Sequence, residues 1–348
     1  MVSGAELRPG PEAAAPRGPR PRGPRPGEVV ARWRSLSLVP VLLLLGVIGF
    51  VVSPAFLTSD NLLGVAQQST ELGLLVLAEA LVLIGGRMDL SLESTIGVAP
   101  VVAMWVVLPP DAGRFHGAGL LPGAFSVPVC LLVGALVGGL NAFLILGLRL
   151  NGFIVTLGAL TTLRGLQIAV SKGQSIVDVP ASFTYLGQAR WLGAPAAVWL
   201  TGLLFLAGGS ALTWLRHGRA LYAVGGNPEA ARAAGIRVDR VTCAVLVLAG
   251  VLAAFAGVLY TGHYGSVSAD QGSGWIFQVF AATVIGGVGL DGGRGTLFGA
   301  LTGVLTLQLV VNVMTLAGVP PLWNQFLNGL IIIVALVVSR FASGERQT

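Results

Sequence analysis

Runs of apolar residues, each about 20 residues long, recur along this chain, and a helix of that length and character crosses the hydrocarbon layer of a membrane. Of the 348 residues, 54% are hydrophobic and 10% are charged, whereas soluble domains carry about 25% charged residues. Fifty glycines agree with this pattern, because small residues let helices approach closely in lipid. The sequence therefore predicts an all-α, polytopic membrane protein.

The apolar runs divide the chain into about ten expected transmembrane helices, within a range of eight to ten. The predicted spans are 37–57, 62–85, 92–108, 127–148, 153–171, 193–215, 241–262, 275–290, 295–317 and 322–340. The fifth, eighth and ninth are short or broken by glycine. Non-helical backbone at membrane depth is possible there, if protein covers it.

The distribution of basic residues predicts the orientation, because short cytoplasmic loops collect Lys and Arg. If the N-terminus is cytoplasmic, 17 of the 21 Lys and Arg residues lie on the cytoplasmic side. Arg114, Lys172 and Arg190 are left outside, and Arg164 lies within a span. Both termini are therefore expected in the cytoplasm, and the chain in a bacterial plasma membrane.

The expected organisation is a single transmembrane domain with two cytoplasmic tails. Residues 1–34 are rich in Pro and Arg and are predicted to be a disordered tail. Residues 35–342 form the transmembrane domain, with its longest cytoplasmic loop at 216–240, and residues 343–348 form the second tail.

That loop contains a well-capped short helix. Asn227 suits the N-cap, Pro228 the first helical position and Glu229 the first turn, and Gly235 suits the end of the helix. The alanines offer a low surface for close approach, at positions Ala230, Ala231, Ala233 and Ala234. The alternative interpretation is a plain connecting helix.

Glycine pairs followed by an Asp occur at two other predicted cytoplasmic turns. One runs from Val82 to Ser91 and includes Asp89, and the other runs from Val284 to Asp291. We interpret this similarity as a possible internal repeat, a common feature of transporters.

The sequence lacks the motifs of several enzyme classes. Lys172 has no Gly-Lys-Ser/Thr context, so no Walker A loop is present to bind ATP. His116, His217 and His263 are scattered without metal-ligand spacing. We therefore expect no metal and no cofactor bound by this chain, and a transport subunit rather than an enzyme.

Three charged residues stand out inside the predicted spans, namely Glu71, Glu79 and Arg164. Charges in a membrane are costly and pair with each other or face a cavity. Arg164 is expected to pair with either glutamate. The alternatives are a structural network that fixes helix packing and a polar path or proton relay.

Four stretches resemble, in order and spacing, the permeases of ribose, xylose and related monosaccharide importers of the binding-protein-dependent ABC class. These are Gly85–Ser91, Phe153–Gly158 with Leu163–Gly165 and Gly173–Gln174, Gly225–Ile236, and Ile285–Gly287 with Gly292–Gly295. The likeness covers residues 36–342. Two departures are Gly274–Gln278, which lacks the family's acidic residues, and Arg87, where glycine is usual.

The resemblance implies partners that this sequence alone does not contain. They are a separate ATPase subunit that uses ATP and Mg²⁺, an extracytoplasmic sugar-binding protein and a second permease chain, identical or related. The segment Gly225–Ile236 resembles the helix that couples the permease to the ATPase. The implied coupling residues are Gly226, Asn227, Pro228, Glu229, Ala230, Ala231 and Gly235. The turns with Asp89, Gly292 and Arg294 would be further cytoplasmic contacts or tight corners between helices.

A monosaccharide or polyol path requires hydrogen-bonding and aromatic side chains that bind weakly enough to release the cargo. The predicted path residues are Glu79, Asn141, Thr156, Arg164, Phe277, Gln278, Asn312 and Asn328. The sequence also agrees with two other functions: a proton-coupled secondary transporter that uses Glu71 or Glu79, and an ABC permease for a non-sugar solute such as a branched-chain amino acid.

Overall fold

The computed structural model describes residues 38–111 and 115–320, together with 323, 326, 329, 330 and 333. Nine apolar helices within these ranges form a bundle. They are α1 (Val39–Val52), α2 (Ser59–Ile84), α3 (Leu92–Val107), α4 (Ser126–Ala142), α5 (Gly152–Ser171), α7 (Ala196–Trp214), α10 (Val238–Tyr264), α11 (Trp275–Ile285) and α12 (Leu297–Leu316).

The connections carry three shorter helices, which are α6 (Ala181–Gln188), α8 (Arg216–Gly226) and α9 (Pro228–Ala233). Two 3₁₀ turns (Pro54–Leu57 and Gly123–Phe125) and a π turn (Phe143–Gly147) extend neighbouring helices. The two-residue strands β1 (Arg190–Trp191) and β2 (Ala194–Pro195) pair antiparallel. The sequence did not predict α6, α8 or this small hairpin.

Six helical stretches in the described ranges are long and apolar enough to cross a membrane, and α1, α3 and α11 are shorter apolar helices. This composition agrees with the predicted multi-pass, mostly helical membrane protein. The last predicted span, 322–340, and both tails lie almost wholly outside the described residues.

Helices α2 and α10 form the centre of the bundle. The most apolar stretch of α2 is 94% buried inside the protein, whereas that of α5 is 11% buried. α10 packs along α2, α3 and α4. Gly134 and Gly138 of α4 lie directly against the α10 backbone. A methyl group on Gly134 would lie only 2.3 Å from the Gly250 carbonyl oxygen, so no larger residue fits there. Glycine thus allows the close approach of α4 and α10.

Two of the predicted spans have different limits in the structure. The first, 37–57, divides at Ser53, whose hydroxyl accepts a hydrogen bond from the Ala55 amide at the start of a 3₁₀ turn. The eighth, 275–290, ends as a helix at Ile285. At 11 residues, α11 is about 16 Å long, which is too short to cross a hydrocarbon layer of about 30 Å.

Candidate functional site

The predicted capped helix is present as α9. The Asn227 side-chain oxygen accepts a hydrogen bond from the Ala230 amide at 2.9 Å, and Pro228 occupies the first turn. Gly235 has φ +81°, a left-handed conformation that suits glycine after a helix. The local sequence therefore determines both ends of α9.

The alanines of α9 divide between two faces. Ala230, Ala233 and Ala234 are exposed, together with Glu229. Ala231 is only 4% exposed and packs in a small cluster with Val224 and Val238. Ala231 therefore faces away from the exposed side of α9, and its methyl group holds α9 against the rest of the chain.

Three glycine pairs from separate parts of the sequence meet beside α9. They are Gly85–Gly86 at the end of α2, Gly225–Gly226 at the end of α8, and Gly292–Gly293 in the turn between α11 and α12. We call these six residues the glycine junction. Gly292 directly follows Asp291, the last residue of the second repeat segment, so the turns that contain the two segments are neighbours in space.

The glycine junction is packed backbone against backbone. A methyl group on Gly225 would lie 1.8 Å from the Ile84 carbonyl oxygen, and one on Gly292 would lie 2.6 Å from the Gly86 Cα. The Gly293 amide donates a hydrogen bond of 2.8 Å to the Ile84 carbonyl. Because no side chain separates these segments, a displacement of one must displace the others.

Tyr222 ties α8 to the same turn. Its hydroxyl donates a hydrogen bond of 2.7 Å to the Gly295 carbonyl, and burial raises the pKa of the phenol. The tyrosine therefore remains a neutral donor at physiological pH.

Asp89 is a corner between helices rather than an exposed contact. Its carboxylate is fully buried and accepts hydrogen bonds from the Ser91 amide at 2.9 Å and the Ser91 hydroxyl at 2.6 Å. Of the three predicted turn residues, Gly292 is buried in the glycine junction and Arg294 is exposed. Of these three residues, only Arg294 is exposed to solvent.

A buried polar cluster surrounds Asp89. The Asn141 amide donates to the Ser91 hydroxyl at 2.8 Å and lies 3.4 Å from the Asp89 carboxylate. Glu79 accepts a long hydrogen bond of 3.5 Å from the Asp89 amide. Glu79 and Asn141, two predicted path residues, are thus close together, and both are completely buried within this chain.

Arg164 pairs with Glu93, and the expected pairing with Glu71 or Glu79 is wrong. The Arg164 guanidinium lies 3.1 Å from a Glu93 carboxylate oxygen. The same carboxylate accepts hydrogen bonds from the Gly274 amide at 3.1 Å and the Ile276 amide at 3.0 Å. Glu93 therefore caps the N-terminus of α11, where the helix dipole favours negative charge.

The Glu93–Arg164 pair lies inside the bundle. Arg164 is about 18 Å along α5 from Gly152, near the middle of a membrane crossing. It also donates to the Gln271 carbonyl at 2.9 Å. The segment before α11 therefore reaches membrane depth, where α3, α5 and α10 satisfy its polar groups.

The other predicted path residues lie apart from one another. Thr156 is buried and donates to the Gly152 carbonyl of its own helix. Phe277 is exposed and Gln278 partly exposed on α11, and Asn312 forms two hydrogen bonds with Asn61. Asn328 lies outside the described residues. The described candidates therefore do not line one common cavity.

A polar cavity of about 360 Å³ lies at the end of α2 that is remote from the glycine junction. The α2–α6 cavity is lined by Asp60, Leu63, Gly64, Gln67, Gln68, Gly187, Gln188, Arg190, Pro195 and His263. The sequence patterns did not predict this cavity. The adjacent amides Gln67 and Gln68 in an otherwise apolar span were the available indication.

Glu71 adjoins the cavity through the imidazole of His263. The His263 Nδ1 lies 3.1 Å from the Glu71 carboxylate, and Glu71 is only 2% exposed. This partner fixes the ring orientation. The contact of Glu71 with His263 joins α2 to α10, which agrees with the interpretation that the buried charges fix helix packing.

Comparison with known proteins identifies relatives over most of the chain. The family model described as the permease component of branched-chain amino acid transport systems matches residues 61–336. The autoinducer 2 import system permease protein LsrC of Klebsiella pneumoniae is 35% identical, over 88% of this chain and 86% of that protein. No solved structure matches the chain.

Two further relatives from Escherichia coli K12 import sugars, according to their names. The ribose import permease protein RbsC is 31% identical, over 87% of this chain and 92% of its own length. The L-arabinose transport system permease protein AraH is 31% identical, over 91% of this chain and 93% of its own length.

Proposed function

Because the chain belongs to the family of permease components typified by branched-chain amino acid transport systems, we propose that it forms the path of an ATP-driven importer for a monosaccharide or related polyol. The family consists of transport subunits, so this chain is a permease and not an enzyme. The cargoes named for RbsC and AraH, ribose and L-arabinose, support a sugar. LsrC, named for autoinducer 2, shows that the cargo varies among relatives.

The observation that carries the proposal is the contact of α9 with the glycine junction. α9 presents Glu229, Ala230, Ala233 and Ala234 to solvent, while Ala231 fastens it to the chain. Asn227 joins α9 directly to Gly226 of the junction. Force applied to the exposed face therefore reaches the end of α2 and the turn between α11 and α12.

In the proposed mechanism, movement of α9 against the glycine junction opens the transport path to one side of the membrane and closes it to the other. An ATPase subunit docks on α9, and its closure on ATP moves α8 and α9. The backbone contacts of Gly225 with Ile84 and Gly293 pass that movement to α2 and to α11. Glu93 and Arg164 then link α11 to α3 and α5. The chain itself binds no ATP, which with Mg²⁺ belongs to the ATPase.

The proposed assembly contains an ATPase subunit, an extracytoplasmic binding protein and a second permease chain in the lipid bilayer. We place this chain in a bacterial plasma membrane with about ten spans, within a range of eight to ten, and both termini in the cytoplasm. The transmembrane domain would comprise residues 35–342, and residues 1–34 and 343–348 would form cytoplasmic tails. The exposed residues of Gly226–Gly235 would contact the ATPase, and Arg294 would lie on the same surface.

The test is to place a large side chain on the exposed face of α9. We expect Ala233→Trp to reduce co-purification with the ATPase subunit encoded beside this chain, and to reduce ATP-driven uptake, by at least tenfold. Ala317→Trp is the matched control, because Ala317 is an exposed alanine at the far end of α12. Both variants should insert in the membrane at normal levels.

Unchanged ATPase association and unchanged uptake in Ala233→Trp would contradict the docking role of α9. Sugar uptake by the purified chain alone in liposomes, driven by a pH gradient and lost in Glu79→Gln, would instead establish a proton-coupled transporter. ATP-driven uptake of a branched-chain amino acid without any sugar uptake would refute the cargo class but retain the permease.

A further inference from the structure

The α2–α6 cavity lies on the opposite end of the molecule from α9. Gln67 is about 26 Å along α2 from Ile84 at the glycine junction. His263 is in the last turn of α10, whose first residue, Val238, packs against Ala231 of α9. In the proposed orientation, which rests on the proposed function, the cavity faces the side from which cargo arrives.

The walls of the cavity are joined backbone to backbone. A methyl group on Gly187 would lie 2.2 Å from the His263 amide nitrogen and 2.2 Å from the Gly262 carbonyl carbon. The Gln67 side chain donates a hydrogen bond of 3.3 Å to the Gly187 carbonyl. These contacts hold α2, α6 and α10 together, so the cavity is formed before any ligand enters.

The charges around the cavity are balanced. Asp60 contributes one negative charge and Arg190 one positive charge, and within the described residues neither forms an ion pair. Glu71 faces His263 at the cavity wall. A small anion or cation would find one attractive and one repulsive charge here, so the lining favours a ligand without net charge, and the hydrogen-bonding groups decide between a polyhydroxylated and a zwitterionic ligand.

The amides supply both donors and acceptors. Gln67 and Gln188 use their side-chain nitrogens in bonds to the Gly187 and His263 carbonyls, which leaves their side-chain oxygens as acceptors. Gln68 is exposed at the cavity and offers both kinds of group. Alternating donors and acceptors suit adjacent hydroxyl groups on a small ring or chain.

From this geometry we propose that the α2–α6 cavity is a binding site for a neutral polyhydroxylated solute, occupied before the solute crosses the membrane. Its volume of about 360 Å³ is within the range of small-molecule sites. The cavity is open, and Gln68, Gln188 and Arg190 in its lining are exposed to solvent, so binding is weak. Weak binding is what a transport path requires, because the solute must leave again.

The chain offers a variant that fills the cavity without disturbing the fold. Gly64 lines the cavity, and a methyl group there would meet no protein atom within 4 Å. We expect Gly64→Leu to occupy the space of the solute. Gly46→Leu is the matched control, because Gly46 is also a helical glycine with open space around it but lies on α1, outside the cavity.

The measurement is saturation-transfer NMR on the purified chain in nanodiscs, without binding protein or ATPase. The probes are D-ribose, L-arabinose, D-xylose, D-glucose and ribitol, with L-leucine as a zwitterionic comparison. We expect at least one neutral probe to bind and L-leucine not to bind. Gly64→Leu should weaken that binding at least tenfold, and Gly46→Leu should leave it unchanged.

A second pair of variants tests the hydrogen bonds rather than the space. Gln188→Ala should weaken binding severalfold, whereas Gln174→Ala, an exposed glutamine outside the cavity, should have no effect. Absence of binding by every neutral probe would overturn the inference, as would binding that Gly64→Leu and Gln188→Ala leave intact.

Failure of the cavity assignment can be distinguished from failure of the proposed permease function. If ATP-driven uptake and ATPase association are normal but neither cavity variant alters solute binding, the cavity assignment fails and the permease assignment stands. If the assembled complex shows no ATP-driven uptake while the cavity binds a neutral probe, the proposed function fails instead.

Discussion

At the scale of single residues, the Glu93–Arg164 pair shows how one carboxylate organises irregular backbone inside a membrane protein. Glu93 accepts three hydrogen bonds, two from amides at the start of α11 and one from Arg164. Backbone amides at membrane depth require such partners because no water replaces them. The pair is therefore a structural necessity for a helix that begins within the bundle.

Removal of only one of these charges should be costly. We expect Glu93→Gln to lower stability by about 3 kcal/mol or more, because it leaves the Arg164 guanidinium buried without its counter-charge. The double variant Glu93→Gln/Arg164→Met should recover part of that loss. The measurement is thermal unfolding of the purified chain in detergent.

The exposed pair of Arg232 and Asp239 is the control for this effect. These side chains are 3.5 Å apart and more than half exposed, so Arg232→Gln should change stability by about 1 kcal/mol or less. Equal losses in Glu93→Gln and Arg232→Gln would show that burial of the Glu93–Arg164 pair has no consequence.

At the scale of helices and turns, the glycine junction couples three elements through their backbones. Each of its glycine pairs ends a helix or forms a turn, and each lies against another pair. Larger side chains at these positions would separate α8 from α2, and each helix could then move without displacing the other. The short contacts explain why Gly225, Gly292 and Gly293 are glycines.

Neighbouring glycines offer a sharp test of the junction. We expect Gly225→Ala to abolish ATP-driven uptake, because its methyl group would lie 1.8 Å from the Ile84 carbonyl oxygen and must push α8 from α2. Gly226→Ala should keep most of the uptake, because a methyl group there meets nothing within 4 Å. Uptake by reconstituted complexes in proteoliposomes measures both.

A normal uptake rate in Gly225→Ala would contradict the coupling role of the junction. The level of inserted chain, measured on the same membranes, separates lost coupling from lost folding. Normal insertion with lost uptake is the expected combination.

At the scale of the whole molecule, the two ends of the bundle have different structural features. α9, the glycine junction and Arg294 lie at one end, while the α2–α6 cavity, α6 and the small hairpin lie at the other. Segments predicted on the same side of the membrane meet in the structure. Gly86, Gly225 and Gly292 are one example, and the bridge between Ile176 and Val267 is another.

Chemical labelling of single cysteines tests the orientation. With Cys130 and Cys243 replaced by Ala, we expect Glu229→Cys to react with an impermeant maleimide only after cell lysis. Gln188→Cys should react in intact cells, because both side chains are exposed but lie at opposite ends. Reaction of Glu229→Cys in intact cells would invert the proposed topology and remove the docking site from the ATPase.

The sequence alone specified the features that depend on neighbouring residues. The length of the apolar runs predicted the helices of the bundle, because backbone N–H and C=O groups in lipid must form hydrogen bonds within the protein, as they do in a helix. Asn227, Pro228 and Gly235 predicted both ends of α9, because caps act within one helical turn. The order of the glycine motifs, with the family resemblance, was sufficient to assign the chain to a permease family.

Only the tertiary structure decided which distant residues meet. It paired Arg164 with Glu93 rather than with Glu71 or Glu79, and it turned Ala231 inward. It also joined the three glycine pairs and formed the α2–α6 cavity. Such contacts depend on how helices far apart in the chain pack against each other, and helical periodicity fixes only the face of each helix, not its neighbour.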